Sequence, residues 1–129
     1  MIRVATVVLV VRNLDRAVAL YEQGLGFERI GEAEDVPSVG ARHVVLRAGN
    51  CQLELLEPRD ESKPPGLFLR ARGEGVFAVE LETPDAQDVR DRLAGMFVQA
   101  RGGAHWYVPP TDAHGLLVQV RPRELEPTG

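Results

Sequence analysis

An internal repeat constrains this chain more than any other feature. The stretch TVVLVVRNLDRAVALYEQGLGFE begins at Thr6, and the stretch AVELETPDAQDVRDRLAGMFVQ begins at Ala78. Both have the same order of apolar strand, polar turn, helix and glycine. A repeated unit that cannot bury its apolar surface alone is expected to pack against its copy. The chain is therefore predicted to contain two similar modules.

Each half continues with three strand-like runs. They are FERIGEAE, ARHVVLRAGN and CQLELLEP in the first half, and MFVQARGG, HWYVPP and GLLVQVRP in the second. Asn13 or Asp15 is predicted to cap the first helix and Thr83 the second, which Gly95 ends. The predicted class is α+β, with two tandem βαβββ modules that form a curved eight-stranded sheet around a cleft and helices outside.

The length of 129 residues fits a single domain with a real core. Module one is predicted at about residues 1–58, a linker at about 59–74, module two at about 75–123, and a short tail after that. The linker contains turn residues and a possible short helix from Leu67 to Arg72.

Charge and hydropathy exclude several classes of protein. A net charge of -4 without a basic cluster argues against nucleic-acid binding. No apolar run reaches the roughly 20 residues that cross a bilayer, and Cys51 is the only cysteine. These features predict a cytoplasmic protein with no membrane or nucleic-acid partner.

Four segments resemble one family in their order along the chain. VRNLDRAVALYEQGLGFE, CQLELLEP, FLRARGEGV and DAHGLLVQV together are similar to the vicinal oxygen chelate superfamily. That superfamily includes glyoxalase I, ring-cleaving dioxygenases and bleomycin and fosfomycin resistance proteins, and the closest resemblance is to methylmalonyl-CoA epimerase. The resemblance covers almost the whole chain and implies the paired-module fold, a small-molecule ligand and a homodimer.

The resemblance also implies four metal-ligand positions, two in each half. They fall here on Thr6, Glu54, Ala78 and Gln119. Alanine has no ligand atom, and a hydroxyl and an amide are weak neutral donors, so one carboxylate falls short of a tight divalent site. The prediction is that the family's metal is absent and that no cofactor is bound.

Strand alternation predicts the lining of the cleft, because side chains two residues apart share one face. Glu54 and Glu80 are the candidate catalytic residues, since two carboxylates in unlike surroundings can divide acid and base roles. Glu80 and Glu82 are equally well explained as solvated carboxylates or partners of arginines such as Arg121. The predicted ligand-binding residues are Thr6, Val8, Gln52, Glu54, Ala78, Glu80, Glu82, Trp106, Leu117, Gln119 and Arg121.

Trp106 and Tyr107 alternate, so only one of them can reach the cleft. Trp106 is the predicted one, as a stacking surface for a flat ligand, although a place at the sheet edge or a dimer contact is also open. His43, His105 and His114 match no ligand position, and a structural or surface role is expected for each.

Four functions remain open at this stage. The sequence narrowly favours a metal-free protein that binds a small molecule, planar or cationic, in an apolar cleft with a few polar groups. The alternatives are a metal-independent isomerase, lyase or cyclase that uses Glu54 and Glu80, a divalent-metal epimerase or glyoxalase, and an interaction module without a ligand.

Overall fold

A computed structural model describes residues 1–93, 99–102 and 105–123. Its α-helices are α1 (Leu14–Val18), α2 (Pro64–Arg72) and α3 (Ala86–Arg92). The strands are β1 (Arg3–Val10), β2 (Glu28–Val36), β3 (Ala41–Ala48), β4 (Cys51–Pro58), β5 (Gly75–Thr83), β6 (Gln99–Gly102), β7 (His105–Val108) and β8 (Leu117–Pro122). Parallel and antiparallel pairs both occur. The α+β class is confirmed.

The chain divides into two compact units. The first unit is Thr6–Phe77, and the second is Met1–Ala5 together with Ala78–Gly129. In the first unit the strand order is β2-β3-β4-β1, with β1 parallel to β4 and the other pairs antiparallel. In the second unit the order is β5-β8-β7-β6, with β5 parallel to β8 and the other pairs antiparallel. The predicted single domain and its internal boundaries stay predictions.

The core of the first unit lies on the helix side of its strands. Leu46 and Leu55 are fully buried there and pack with Leu14 and Val18 of α1. Because side chains alternate along a strand, the residues on either side of Leu55 point to the other face. This packing determines which face of β4 is available for a ligand.

The start of α1 is held by two side chains. Asn13 Oδ1 accepts a hydrogen bond from the backbone N–H of Arg16 at 3.0 Å, so Asn13 rather than Asp15 is the N-cap. Glu57 Oε2 accepts from the backbone N–H of Leu14 at 2.7 Å. After Val18 the helix widens into a π-helical segment, Ala19–Gly24.

The chain makes a tight corner at Gly40, after a 3-10 turn (Pro37–Val39). Gly40 has φ +61, and its carbonyl accepts hydrogen bonds from the backbone N–H groups of Arg59 and Asp60. The Ser62 hydroxyl and backbone N–H donate to the Asp60 carboxylate, which holds the pKa of that carboxyl below its ordinary value. Gly40 thereby connects β3 to the segment that leads into α2.

Strand β2 is at the end of the strand order in the first unit. Among the described strands it pairs only with β3, and its register shifts between Ile30 and Glu34. Gly31, inside this bulge, has φ +80, a conformation that glycine adopts without steric strain.

The second helix of the repeat begins later than the sequence predicts. Thr83 is buried, and its hydroxyl accepts from the backbone N–H of Asp85, which is itself the N-cap of α3. The expected end at Gly95 lies outside the described residues. No helix within the described ranges is long and apolar enough to span a membrane.

Candidate functional site

The predicted residues of the first unit share one sheet face. Thr6 is in register with Gln52, and Val8 with Glu54, on the paired strands β1 and β4. This face is opposite to Leu55, which packs in the helix-side core. Thr6 and Val8 are both buried, and Gln52 and Glu54 are half-buried.

A histidine from β3 completes this group. His43 Nδ1 lies 2.6 Å from Glu54 Oε2, a short hydrogen bond between an imidazole and a carboxylate. The side chains are 21% and 26% exposed, so both remain accessible from one side. We refer to these two residues as the His43–Glu54 pair.

The pair has both apolar and acidic neighbours. Val8 and Val45 are in register with Glu54, whereas His43 is in register with Leu56 on β4 and with Glu34 on β2. When Nδ1 carries the proton and donates it to Glu54, the lone pair on Nε2 is left to accept another proton, and the carboxylate stabilises the imidazolium that forms. The arrangement can therefore act as a general base.

The sequence assigned His43 only a structural or surface role, yet it contains the information that places this residue. A two-residue connection, Gly49 and Asn50, joins β3 to β4, and such a short hairpin fixes the register of both strands. Counting back from that turn places position 43 opposite position 56, diagonal to Glu54. Applying the alternation of side chains to β3 as well as to β4 places His43 on the same sheet face as Glu54.

In the second unit, six predicted residues share one face. The parallel register of β5 and β8 aligns Ala78 with Leu117, Glu80 with Gln119, and Glu82 with Arg121. Ala78 and Glu82 are buried and the other four are half-buried. Alternation along these strands is as predicted, and ligand binding by these residues stays a prediction.

The two acids of this face have arginine partners. Arg121 Nε lies 3.2 Å from Glu80 Oε1, and Arg121 Nη2 lies 3.5 Å from Glu82 Oε2. Arg3 Nε donates a short hydrogen bond to the other oxygen of Glu82. The arginine pairing foreseen as one explanation of Glu80 and Glu82 is thus present, and it balances their charge locally.

The prediction that Trp106 reaches this face is wrong. Trp106 is in register with Val120, whereas Tyr107 is in register with Gln119, so Tyr107 shares the face of Glu80. Trp106 is 2% exposed and lies beside Ala86 of α3. The register of β7 depends on the long connection to β8, which the sequence pattern does not determine. His114 is exposed at a turn with φ 58, and the side chain of His105 lies outside the described part.

The residues present do not fit the metal site that the family resemblance implies. In the first unit, Glu54 is engaged by His43 and Thr6 offers only a buried hydroxyl. In the second unit, Ala78 has no donor atom and Gln119 offers an amide. Across the described residues, no group of three or more histidine, cysteine, aspartate or glutamate side chains is placed to hold a metal ion.

Comparison with known proteins gives a consistent family. A model described as Glyoxalase/Bleomycin resistance protein/Dioxygenase superfamily matches residues 3–119. An ethylmalonyl-CoA/methylmalonyl-CoA epimerase of Cereibacter sphaeroides is 33% identical, over 92% of this chain and 96% of the relative.

Solved structures of similar proteins agree with these sequence matches. A Streptomyces coelicolor methylmalonyl-CoA epimerase in complex with 2-nitronate-propionyl-CoA has a TM-score of 0.78 at 28% identity, covering 95% of this chain and 98% of that chain. A methylmalonyl-CoA epimerase from Mycobacterium tuberculosis has a TM-score of 0.77 at 26% identity, covering 95% and 88% respectively.

Proposed function

Because the chain belongs to the glyoxalase/bleomycin resistance protein/dioxygenase superfamily, we propose that it is a metal-independent isomerase. Its substrate is an acyl-CoA thioester, and its reaction moves a proton at the carbon next to the thioester carbonyl. The His43–Glu54 pair carries this proposal, because it places a general base on an accessible sheet face.

The chemistry follows from the pair's geometry. The C–H bond next to the carbonyl breaks, its proton goes to His43 Nε2, and its electron pair moves into the carbonyl as an enolate. Glu54 holds the ring and balances the positive charge of the imidazolium. Inversion needs a proton on the opposite face of the same carbon; a water molecule supplies it, and His43 Nε2 then releases its own proton to solvent.

The enolate needs hydrogen-bond donors, since the proposal gives it no metal ion. Donors directed at a developing oxyanion supply a large part of the rate enhancement in such reactions. Thr6, on the same sheet face as Glu54, is the proposed donor. The curved eight-stranded sheet around a cleft, the homodimer and the cytoplasmic location stay part of the proposal.

The names of relatives support the choice of substrate. The Cereibacter relative is an ethylmalonyl-CoA/methylmalonyl-CoA epimerase, and the Streptomyces structure holds a propionyl-CoA derivative. Both names point to a short branched or carboxylated acyl group on coenzyme A. Glu80, the second catalytic residue predicted from the sequence, has a weaker claim here because it is paired with Arg121.

Isotope exchange tests the proposal directly. In D2O, the wild-type protein is expected to replace the hydrogen at carbon 2 of methylmalonyl-CoA by deuterium, which mass spectrometry follows. Replacement of the base, His43→Asn, should lower the initial rate at least about a hundredfold. His114→Asn is the matched control at an exposed histidine and should exchange at the wild-type rate.

Two results would reject the isomerase. One is no exchange above the uncatalysed rate with the wild-type protein. The other is equal exchange by the His43→Asn variant and the control. The same samples should be examined for a rise in unfolding temperature with methylmalonyl-CoA.

Ligand binding without turnover is the second candidate, and the arginine-paired acids of the second unit favour it. Glu80 and Glu82 are charge-balanced by arginine, so this sheet face is better suited to binding a polar ligand than to transferring a proton. A ligand that binds only the folded state raises its apparent stability. Stabilisation by methylmalonyl-CoA without deuterium exchange would therefore select this function.

A further inference from the structure

The second unit contains a small pocket on the side of its sheet away from Glu80 and Gln119. The pocket has a volume of about 220 Å³. Its lining residues come from α3, the turn before it, and strands β7 and β8; they are Pro84, Ala86, Gln87, Arg90, Trp106 and Pro122. We refer to it as the Trp106 pocket.

Trp106 brings an unpaired donor to this pocket. Trp106 is only 2% exposed, and its indole Nε1 has no hydrogen-bond partner in the described part of the chain. A buried polar group without a partner destabilises the folded state. An acceptor atom bound in the pocket would recover that loss.

Arg90 brings a positive charge to the same pocket. Ala86 and Arg90 are four residues apart on α3 and therefore share a helix face, and Ala86 is buried against the sheet. Arg90 is half-buried, and no carboxylate among the described residues forms an ion pair with it. Arg92, two residues later, is exposed and does not line the pocket.

The remaining walls determine the kind of ligand. Pro84, Ala86 and Pro122 give an apolar surface next to the two donors. The volume is below the about 300–1,000 Å³ of sites for drug-sized ligands, so the ligand must be small. An anionic head with two acceptor oxygens and a short apolar tail satisfies all three requirements.

We propose that the Trp106 pocket is a second binding site, separate from the His43–Glu54 pair, that holds a short-chain carboxylate. One carboxylate oxygen accepts from Trp106 Nε1, and the Arg90 guanidinium binds the head group. The alkyl tail lies against the prolines. This site does not depend on the proposed isomerase reaction, since it lies on the opposite sheet face from the second unit's candidate residues.

Tryptophan fluorescence provides the test, because Trp106 is the only tryptophan in the chain. Titration with butyrate is expected to change the emission of Trp106 in a saturable way. Arg90→Gln should raise the dissociation constant for butyrate at least about tenfold, the loss expected for one charge-assisted hydrogen bond. Arg92→Gln, the matched change on the same helix, should bind as the wild type does.

Two further probes separate the contributions of charge and apolar contact. 1-Butanol has the tail without the charge, and inorganic phosphate has the charge without the tail; both should bind more weakly than butyrate. Arg90→Lys retains the charge and should bind butyrate within a few-fold of the wild type, a comparison that stays valid if the glutamine variant folds poorly.

Three outcomes would overturn the proposal. The first is the absence of a saturable response to butyrate in the wild-type protein. The second is equal weakening by the Arg90→Gln and Arg92→Gln changes. The third is binding of butanol as tight as that of butyrate, which would make the pocket an apolar cavity only. None of these outcomes bears on deuterium exchange, so the two proposals succeed or fail independently.

Discussion

At the scale of single residues, the partner of each glutamate decides what that glutamate does. Glu54 is hydrogen-bonded to an imidazole, whose second ring nitrogen can accept a proton from a substrate. Glu80 and Glu82 form ion pairs with guanidinium groups, which can donate hydrogen bonds but cannot accept a proton from a substrate. Three carboxylates that look alike in the sequence are therefore assigned two different roles.

The two arginine-paired glutamates should differ in their effect on stability. The Glu82 side chain is 8% exposed and the Glu80 side chain 26%. Glu82→Ala is expected to lower the free energy of unfolding by about 1–3 kcal/mol, because Arg3 and Arg121 both lose a largely buried partner. Glu80→Ala should cost about 1 kcal/mol or less, as is usual for accessible ion pairs.

Urea unfolding of the two variants measures this difference. Equal losses, or a larger loss for the Glu80 variant, would contradict the view that burial of the Glu82 carboxylate sets the energy of the network. The comparison is controlled by position, since both glutamates belong to β5 and face the same side.

At the scale of elements, turn length explains which contacts the sequence could reveal. The two-residue hairpin between β3 and β4 fixes its register, so the contact between His43 and Glu54 follows from counting and alternation. The longer connection from β7 to β8 leaves the register undetermined, and Tyr107 rather than Trp106 shares the face of Gln119. Helix α3 begins after Asp85 because buried Thr83 is still part of β5.

Glycine substitutions test the corner at Gly40. An added Cβ would lie 2.7 Å from Asp60 Cβ, and φ +61 is unfavourable for alanine. Gly40→Ala is expected to lower the free energy of unfolding by about 2–4 kcal/mol through strain and overpacking together. Gly31→Ala, with φ +80 and no atom within 4 Å of the added Cβ, should cost only about 1–2 kcal/mol.

Thermal and urea unfolding of the two glycine variants can be compared directly. A Gly40 variant that loses no more stability than the Gly31 variant would show that the corner relaxes around the added methyl group. Such a result would show that the short distance between Gly40 and Asp60 does not limit stability at this corner.

At the scale of the whole molecule, the internal repeat predicts the fold class and the family well, but it predicts the chemistry of the site poorly. Each unit has a parallel strand pair and two antiparallel pairs in the same relative order. The four positions at which the family resemblance predicts metal ligands carry a hydroxyl, a carboxylate, a methyl group and an amide. Backbone topology tolerates these changes because strand pairing uses main-chain groups, whereas a metal site depends on every donor side chain.

Chelation tests the predicted absence of a metal ion on the intact protein. Treatment with EDTA is expected to leave both the unfolding temperature and the deuterium exchange rate unchanged. A bound ion would stabilise the folded state, so its removal would lower the unfolding temperature. Elemental analysis of protein purified without chelator should find less than one divalent ion per chain. A stoichiometric ion, or a fall in unfolding temperature with EDTA, would show that other donors replace the missing ones.

The composition of strand β2 has a consequence for behaviour in concentrated solution. An unpaired strand edge offers N–H and C=O groups on which foreign strands can assemble. Glu28, Arg29, Glu32, Glu34 and Asp35 cover β2 with charge, and the bulge at Gly31 interrupts its regular geometry. Both features oppose fibril growth from this edge, so the molecule carries its own protection against self-association into cross-β aggregates.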